Sequence, residues 1–203
     1  MGYISDEEEL ADAAATASEA LQDIQTYLGS TPHPAGRVRF PRGFLPTATA
    51  GRRRVSFIQG EVLRTNVSYA LMLAAVQRWI LHRTDLAATA QEMVVKTGLA
   101  AYGSILEGVL RDFTRDALGG RQSVGGRLRL LRQLEVIDDA LRDELLWLWE
   151  QRNKQHLFEL SSREINHYSP THFDRAEVAI ESLLERLAHA TRPASPADAS
   201  ARR

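Results

Sequence analysis

Residues 138–160 read DDALRDELLWLWEQRNKQHLFEL, and the period of their apolar positions decides the fold class. At about 100° per residue, Leu141, Leu145, Leu148, Trp149, Leu157 and Leu160 share one arc of a helix, and Asp143, Glu150, Gln151, Lys154 and Gln155 fall opposite. Arg152, Asn153 and His156 lie inside the apolar arc. Residues four apart sit one above the other on a helix, so Arg152 and His156 point the same way if the helix runs unbroken to about Leu160. A guanidinium, an amide and an imidazole on a buried face are costly without partners. They either meet partners inside the fold or line a cleft that handles an anion.

Outward from this stretch the chain reads as helix after helix. Residues 59–82 form one candidate helix. A second runs from Thr84 or Asp85 as N-cap to about Leu118, kinked near Gly98. Gly119-Gly120 and Gly125-Gly126 bracket a hairpin, and a third helix begins near Arg127 and ends before Asp138. Ser169-Pro170 opens a last helix to about His189. Val55 to Ile58 is the longest alternating run, so the expected class is all-α, an antiparallel bundle of four to five core helices.

The flanks differ in composition. Ser5 with Glu8 reads as a capping box for an acidic helix over residues 1–28, stopped by Gly29. Residues 29–58, with Pro32, Pro34, Pro41 and Pro46, read as a Pro/Gly/Arg-rich loop, and residues 191–203 as a disordered tail. The domain proper is expected over residues 59–190. The net charge of −1 conceals segregation: Met1 to Asp23 carries seven acids and no base, whereas Thr31 to Arg64 carries seven arginines against Glu61 alone. Only Lys96 and Lys154 are lysines. An arginine surplus suits bidentate phosphate contacts and equally follows from an alanine- and arginine-rich composition. The run Arg52-Arg53-Arg54 is either a solvated cluster or a nucleic-acid contact, with Phe40, Phe44 and Phe57 as stacking platforms or as anchors to the core.

Several chemistries find no support. The 203 residues contain no cysteine, which excludes disulfides and thiolate zinc sites. The histidines stand at no metal-ligand spacing with acids, no Gly-rich loop joins a strand to a helix, and no nucleophile elbow occurs, so no metal and no cofactor is expected. No run approaches 18 uninterrupted apolar residues and the acidic start does not read as a signal peptide, so the expectation is a cytoplasmic protein with no membrane association.

The stretch GLAAYGSILEGVLRDFTRDAL at Gly98–Leu118, the Gly-rich hairpin, the segment from Leu128 to Leu160 and the closing helix together resemble the HEPN superfamily of helical domains. The resemblance covers residues 59–190 and is most specific in LWEQRNKQHLF. It implies a metal-independent ribonuclease of the toxin or phage-defence type with Arg152 and His156 as the catalytic pair, and Asn153 reproduces the polar residue that often follows the family arginine. Three residues separate Arg152 from His156, fewer than is usual in the family. Phe158 stands where one toxin subgroup carries a tyrosine modified by its antitoxin. The resemblance further implies RNA as substrate, a homodimer that joins two Arg/His pairs, and an antitoxin or defence-complex partner. Trp147 and Phe158, on the otherwise polar side of their helix, offer an apolar patch for such a partner or for the N-terminal segment. Glu107 either pairs with Arg111 four residues on or stands across the bundle beside Arg152. In the implied chemistry a ribose 2′-hydroxyl attacks the adjacent phosphate, Arg152 holds the phosphate, and His156 moves a proton, its ordinary pKa of about 6.5 suiting either direction. A module of the same fold that binds nucleotide or protein without cutting, and an unrelated structural bundle, are the competing readings.

Overall fold

The computed structural model describes residues 4–154 and 167–193, and these are all-helical with no strand. They divide into two compact units, one up to Arg42 and one from Gly43 onward.

The first unit is built on α1 (Glu7–Leu28), which buries none of its residues. Its N-cap is Asp6, whose Oδ1 accepts the Glu9 N–H at 2.8 Å, while the Glu9 carboxylate receives the Ser5 N–H and hydroxyl at 2.8 and 2.9 Å. The cap therefore lies one residue beyond the expected Ser5/Glu8 box, with Asp6 accepting from the third helical amide and Glu9 reaching back to Ser5. Gly29 ends the helix at φ 54°, a backbone state that favours glycine. A single 3-10 turn follows at Pro34–Gly36.

The second unit holds α2 (Ala48–Arg54), α3 (Glu61–Arg83), α4 (Ala88–Phe113), α5 (Arg115–Leu118), α6 (Val124–Gln133), α7 (Asp139–Asn153) and α8 (Pro170–His189). The expected loop over residues 29–58 is thus interrupted. Thr47 caps α2 by accepting the Ala50 N–H at 3.1 Å, and Gly51 lets α2 close on Ser68 of α3, where an added Cβ would lie 2.8 Å from the serine Cβ. A helix short enough to fit between Pro46 and the start of α3 escapes a reading that scores prolines alone.

α4 is the hub, packed on α3, α6, α7 and α8. It is the one helix among the described residues long and apolar enough to cross a membrane, and half of its most apolar stretch is buried in the bundle. Gln77 donates to Thr97 at 2.8 Å near one end of the α3/α4 pair, and the Gln59 N–H donates to Asp112 at 3.2 Å near the other, so these helices run antiparallel. Glu144 meets Arg175, and Asp138 meets Arg186, which sets α7 antiparallel to α8. Leu99, Leu106, Val109 and Leu110 of α4 interlock with Leu128 and Leu131 of α6, Leu145 and Leu148 of α7, and Phe173, Ile180 and Leu183 of α8, all essentially inaccessible to solvent.

Glycine positions account for several departures from expectation. α4 passes through Gly98 without a break, because Gly98 is where the buried Phe173 ring lies against the backbone. Its N-cap is Ala87 rather than Thr84 or Asp85. The break falls instead at Thr114, with α5 closing on Gly119 at φ 68°. Gly125 and Gly126 lie within the first turn of α6, which Ser123 caps through the Gly126 N–H at 3.1 Å, so that helix starts three residues before Arg127. Ser169 and Pro170 open α8 as expected, with the His172 imidazole accepting the Ser169 N–H at 3.2 Å.

The segment after α8 is anchored at its first residues. Arg192 forms an ion pair with the buried Asp112 and donates to the Phe57 carbonyl at 2.8 Å, so the expected disordered tail does not begin at Thr191.

Candidate functional site

Arg152 lies in the last turn of α7, whose C-cap is Lys154. The free carbonyls of a helix end favour a cation there. Its position on the apolar arc brings the aliphatic stem against α4, and Gly103 makes room: a Cβ at Gly103 would stand 2.6 Å from the Arg152 Cγ and 2.7 Å from its Cβ. The guanidinium then emerges at the surface, with the side chain 34% exposed. It lies 4.9 Å from the centroid of the Trp149 ring, 3.7 Å from the Glu107 carboxylate of α4, and donates to the Asn153 side-chain oxygen at 3.2 Å.

Of the residues singled out in the sequence, Arg152, Asn153 and Glu107 are therefore brought together. Between its two expected partners, Glu107 takes Arg152 across the helix interface. Arg111 turns instead to the Gly120 carbonyl at 3.3 Å. Arg152 and Asn153 are half-buried rather than part of the closed core, which α7 fills with Leu141, Leu145 and Leu148. His156, Leu157, Phe158 and Leu160, and with them the expected continuation of the helix to Leu160, lie outside the described residues. The described part of α7 ends at Asn153.

The arrangement has definite chemical capacities. A guanidinium held by stem packing, by an aromatic face and by one carboxylate, and still partly exposed, has the chemistry to bind a phosphate oxygen. The adjacent carboxylate is a titratable group within reach of whatever the arginine binds. Gly103 and Trp149 were not singled out in the sequence. A glycine four residues before Glu107 on the same face was the available signal, since i and i+4 share a helix surface.

The arginine run separates into three roles. Arg52 donates to the Thr49 hydroxyl at 3.2 Å, Arg53 is exposed, and Arg54 crosses to an ion pair with Glu181 of α8. Arg54 borders a cleft of about 590 Å³ that is also lined by Phe44, Arg78, Tyr102, Glu177 and Glu181. Inside it Glu177 accepts from the Tyr102 hydroxyl at 3.2 Å and lies 3.5 Å from Arg78, whose guanidinium lies 5.5 Å from the Phe44 ring centroid. Burial, and then the Glu177 carboxylate, push the Tyr102 phenol far above its ordinary pKa. Burial also lowers that of Arg54. Arg54 and Arg78 each have an anionic neighbour, Glu181 and Glu177, and the network ties α2, α3, α4 and α8 together. Phe57 serves as an anchor, edge-on to Phe113 at 6.3 Å. Trp147 is covered as well, by the Arg175 guanidinium at 3.9 Å and the His172 ring at 5.9 Å, which removes it from the expected free patch.

The histidines among the described residues include His82, 2.8 Å from Asp174, and His172 at the start of α8. No group of three metal-ligating side chains occurs among the described residues. Comparison of the chain with models of protein families, with curated proteins and with solved structures finds no match.

Proposed function

We propose that the chain is a metal-independent endoribonuclease of the HEPN toxin or phage-defence type, with its site at the C-terminal end of α7. The observation that carries this reading is the Gly103–Arg152–Glu107 arrangement: a glycine that admits the arginine stem between helices, a guanidinium held at the surface, and a carboxylate beside it. Arg152 binds the scissile phosphate and stabilises charge on its non-bridging oxygens. The 2′-oxygen forms its bond to phosphorus as its proton passes to a base, and the P–O5′ bond breaks as the leaving oxygen takes a proton. Glu107, beside Arg152, and His156, which the HEPN resemblance assigns to the catalytic pair, are the groups proposed for these transfers. The products are a 2′,3′-cyclic phosphate and a 5′-hydroxyl, and DNA, which lacks the 2′-hydroxyl, is not cut. An antitoxin or a defence-complex partner belongs to the same proposal.

One observation favours a second reading, a module that binds nucleotide or protein without cutting. The guanidinium already has Glu107, Asn153 and Trp149 as neighbours, which suffices for a purely structural arginine. RNA cleavage in EDTA by the wild type, Arg152→Ala and His156→Ala, with product ends identified, separates the two. Cyclic-phosphate ends that disappear in both variants support the ribonuclease. Intact RNA with a folded wild type assigns the chain to the binding class.

A further inference from the structure

α3 departs from the pattern of a surface helix. From Thr65 to Gln77 it contains no charged residue, although only part of this stretch faces the core. Val67, Leu71 and Ala74 point inward, and an amphipathic surface helix would carry charges on the opposite side. Instead the outward side presents Val62, Asn66, Tyr69, Leu73, Val76 and Ile80, spaced alternately by four and three residues, which is the spacing of a coiled-coil seam. Val62 is 76% exposed, Tyr69 53% and Leu73 51%, three large apolar side chains in one line. A single asparagine within such a seam is the usual device for fixing register at some cost in stability.

We infer that this face pairs antiparallel with α3 of a second copy of the chain. The seam is self-complementary about its middle: Tyr69 faces Leu73, Asn66 faces Val76 and Val62 faces Ile80 of the partner helix when the two run in opposite directions. The charges at its ends match. Glu61 and Arg83 lie on the same flank of the seam, so the antiparallel arrangement brings Glu61 of each copy toward the end where the other presents Arg83, and neither has an ion-pair partner among the described residues. An isologous contact of this type closes as a two-fold dimer. An uncharged seam offers nothing to a strongly charged partner, and one acid and one base at opposite ends give no basic rim for an anionic membrane surface. The inference does not rest on the ribonuclease reading. The seam differs from the surface implied by the HEPN resemblance, because α7 packs on α4, α6 and α8 while the seam lies on α3, on the face opposite its buried Val67, Leu71 and Ala74.

The test is the mass of the full chain by analytical ultracentrifugation, combined with directed cross-linking. The wild type is expected to sediment as a dimer and Leu73→Lys as a monomer, with circular dichroism and thermal unfolding confirming that the variant is folded, since Leu73 is exposed. Glu61→Arg weakens the dimer at least tenfold, and Glu61→Arg with Arg83→Glu restores it. The chain has no native cysteine, so Val62→Cys/Ile80→Cys reports cleanly. The two positions lie about 27 Å apart on one helix, too far for an internal disulfide, and oxidation should yield linked dimers. Tyr69→Cys alone should not link, because like positions do not meet in an antiparallel pair. A monomeric wild type overturns the inference, including the case in which α3 is protected from hydrogen exchange by another occupant. A dimer indifferent to Leu73→Lys, or one linked through Tyr69→Cys, overturns it too.

Discussion

Gly103→Ala tests the site without removing any functional group. The new methyl would lie 2.6 Å from the Arg152 Cγ, about 0.8 Å inside the 3.4 Å at which ordinary contact begins. The Arg152 Cβ, at 2.7 Å, is fixed by the backbone and no change of rotamer moves it, so α4 and α7 must separate locally. Overpacking of this kind costs about 1–3 kcal/mol. Replacing glycine by alanine inside a helix returns about 1 kcal/mol, leaving a net loss of about 0–2 kcal/mol. For a chain of this size that lowers Tm by at most about 8 °C. On the proposed ribonuclease function, a guanidinium moved by nearly 1 Å should instead lower single-turnover RNA cleavage on the order of 100-fold. Gly108→Ala is the control, since its Cβ would meet only the Leu63 Cδ1 at 3.2 Å, and it should cleave as the wild type does. Trp149 emission, in a background with Trp79 and Trp147 replaced by Phe, reports the displacement independently of activity, because the guanidinium lies over that ring. A variant that gains stability, leaves the emission unchanged and cleaves normally would refute the close approach of Gly103 and Arg152.

Arg192→Ala should cost about 3–5 kcal/mol in urea unfolding, because it leaves the buried Asp112 without its counter-charge, while Asp112→Asn/Arg192→Ala recovers part of the loss. Arg127→Ala should destabilise by about 2–4 kcal/mol and raise hydrogen exchange in residues 119–123, since this buried guanidinium donates to Thr114 Oγ1 at 2.5 Å, Gly119 O at 2.6 Å and Gln122 O at 3.2 Å. The Leu141 N–H, and then Arg186, hold the Asp138 carboxyl below its ordinary value. A carboxyl depressed in the folded state contributes fully above its unfolded pKa of 3.8 and loses that contribution as pH falls through the folded value. Urea midpoints of the wild type should therefore fall below about pH 4, and those of Asp138→Asn, which keeps the cap but does not titrate, should fall less.

The fold class was legible because it depends on periodicity. The 3.6-residue spacing of Leu141, Leu145 and Leu148 and the Ser169-Pro170 start are local signals, and the structure keeps both. What was not legible depends on contacts between distant residues. Gly98 reads as a kink in one dimension, yet it is a seat for Phe173, 75 residues away, and the helix runs straight through it. Thr191 to Pro193 read as a tail because nothing nearby calls for order. Their anchor is Asp112, 80 residues back in the chain. α2 was missed for a related reason. Its seven residues have too little intrinsic stability to signal a helix, and it forms because Gly51 can close on Ser68.

Arg152 shows why a site can be half legible. Its placement on an apolar arc was readable from the sequence, and the cost of burying a charge required a partner there. The sequence left open which carboxylate supplied it, because Glu107 has Arg111 on its own helix and Arg152 on another. The choice follows from packing: Gly103, one turn before Glu107, draws the Arg152 stem in, and the guanidinium reaches Glu107. The neighbours that satisfy Arg152 structurally are also those that would orient it toward a phosphate, so its burial alone does not separate the two roles. Replacing Arg152 by Lys does. Lysine retains much of the aliphatic stem and the attraction to Glu107, and should change stability by no more than about 1 kcal/mol. It loses the planar fork, and a phosphate-binding role predicts a loss of cleavage on the order of 10–100-fold at unchanged Tm. Equal cleavage by Arg152→Lys and the wild type would mean that Arg152 serves the fold and that the chemistry lies elsewhere.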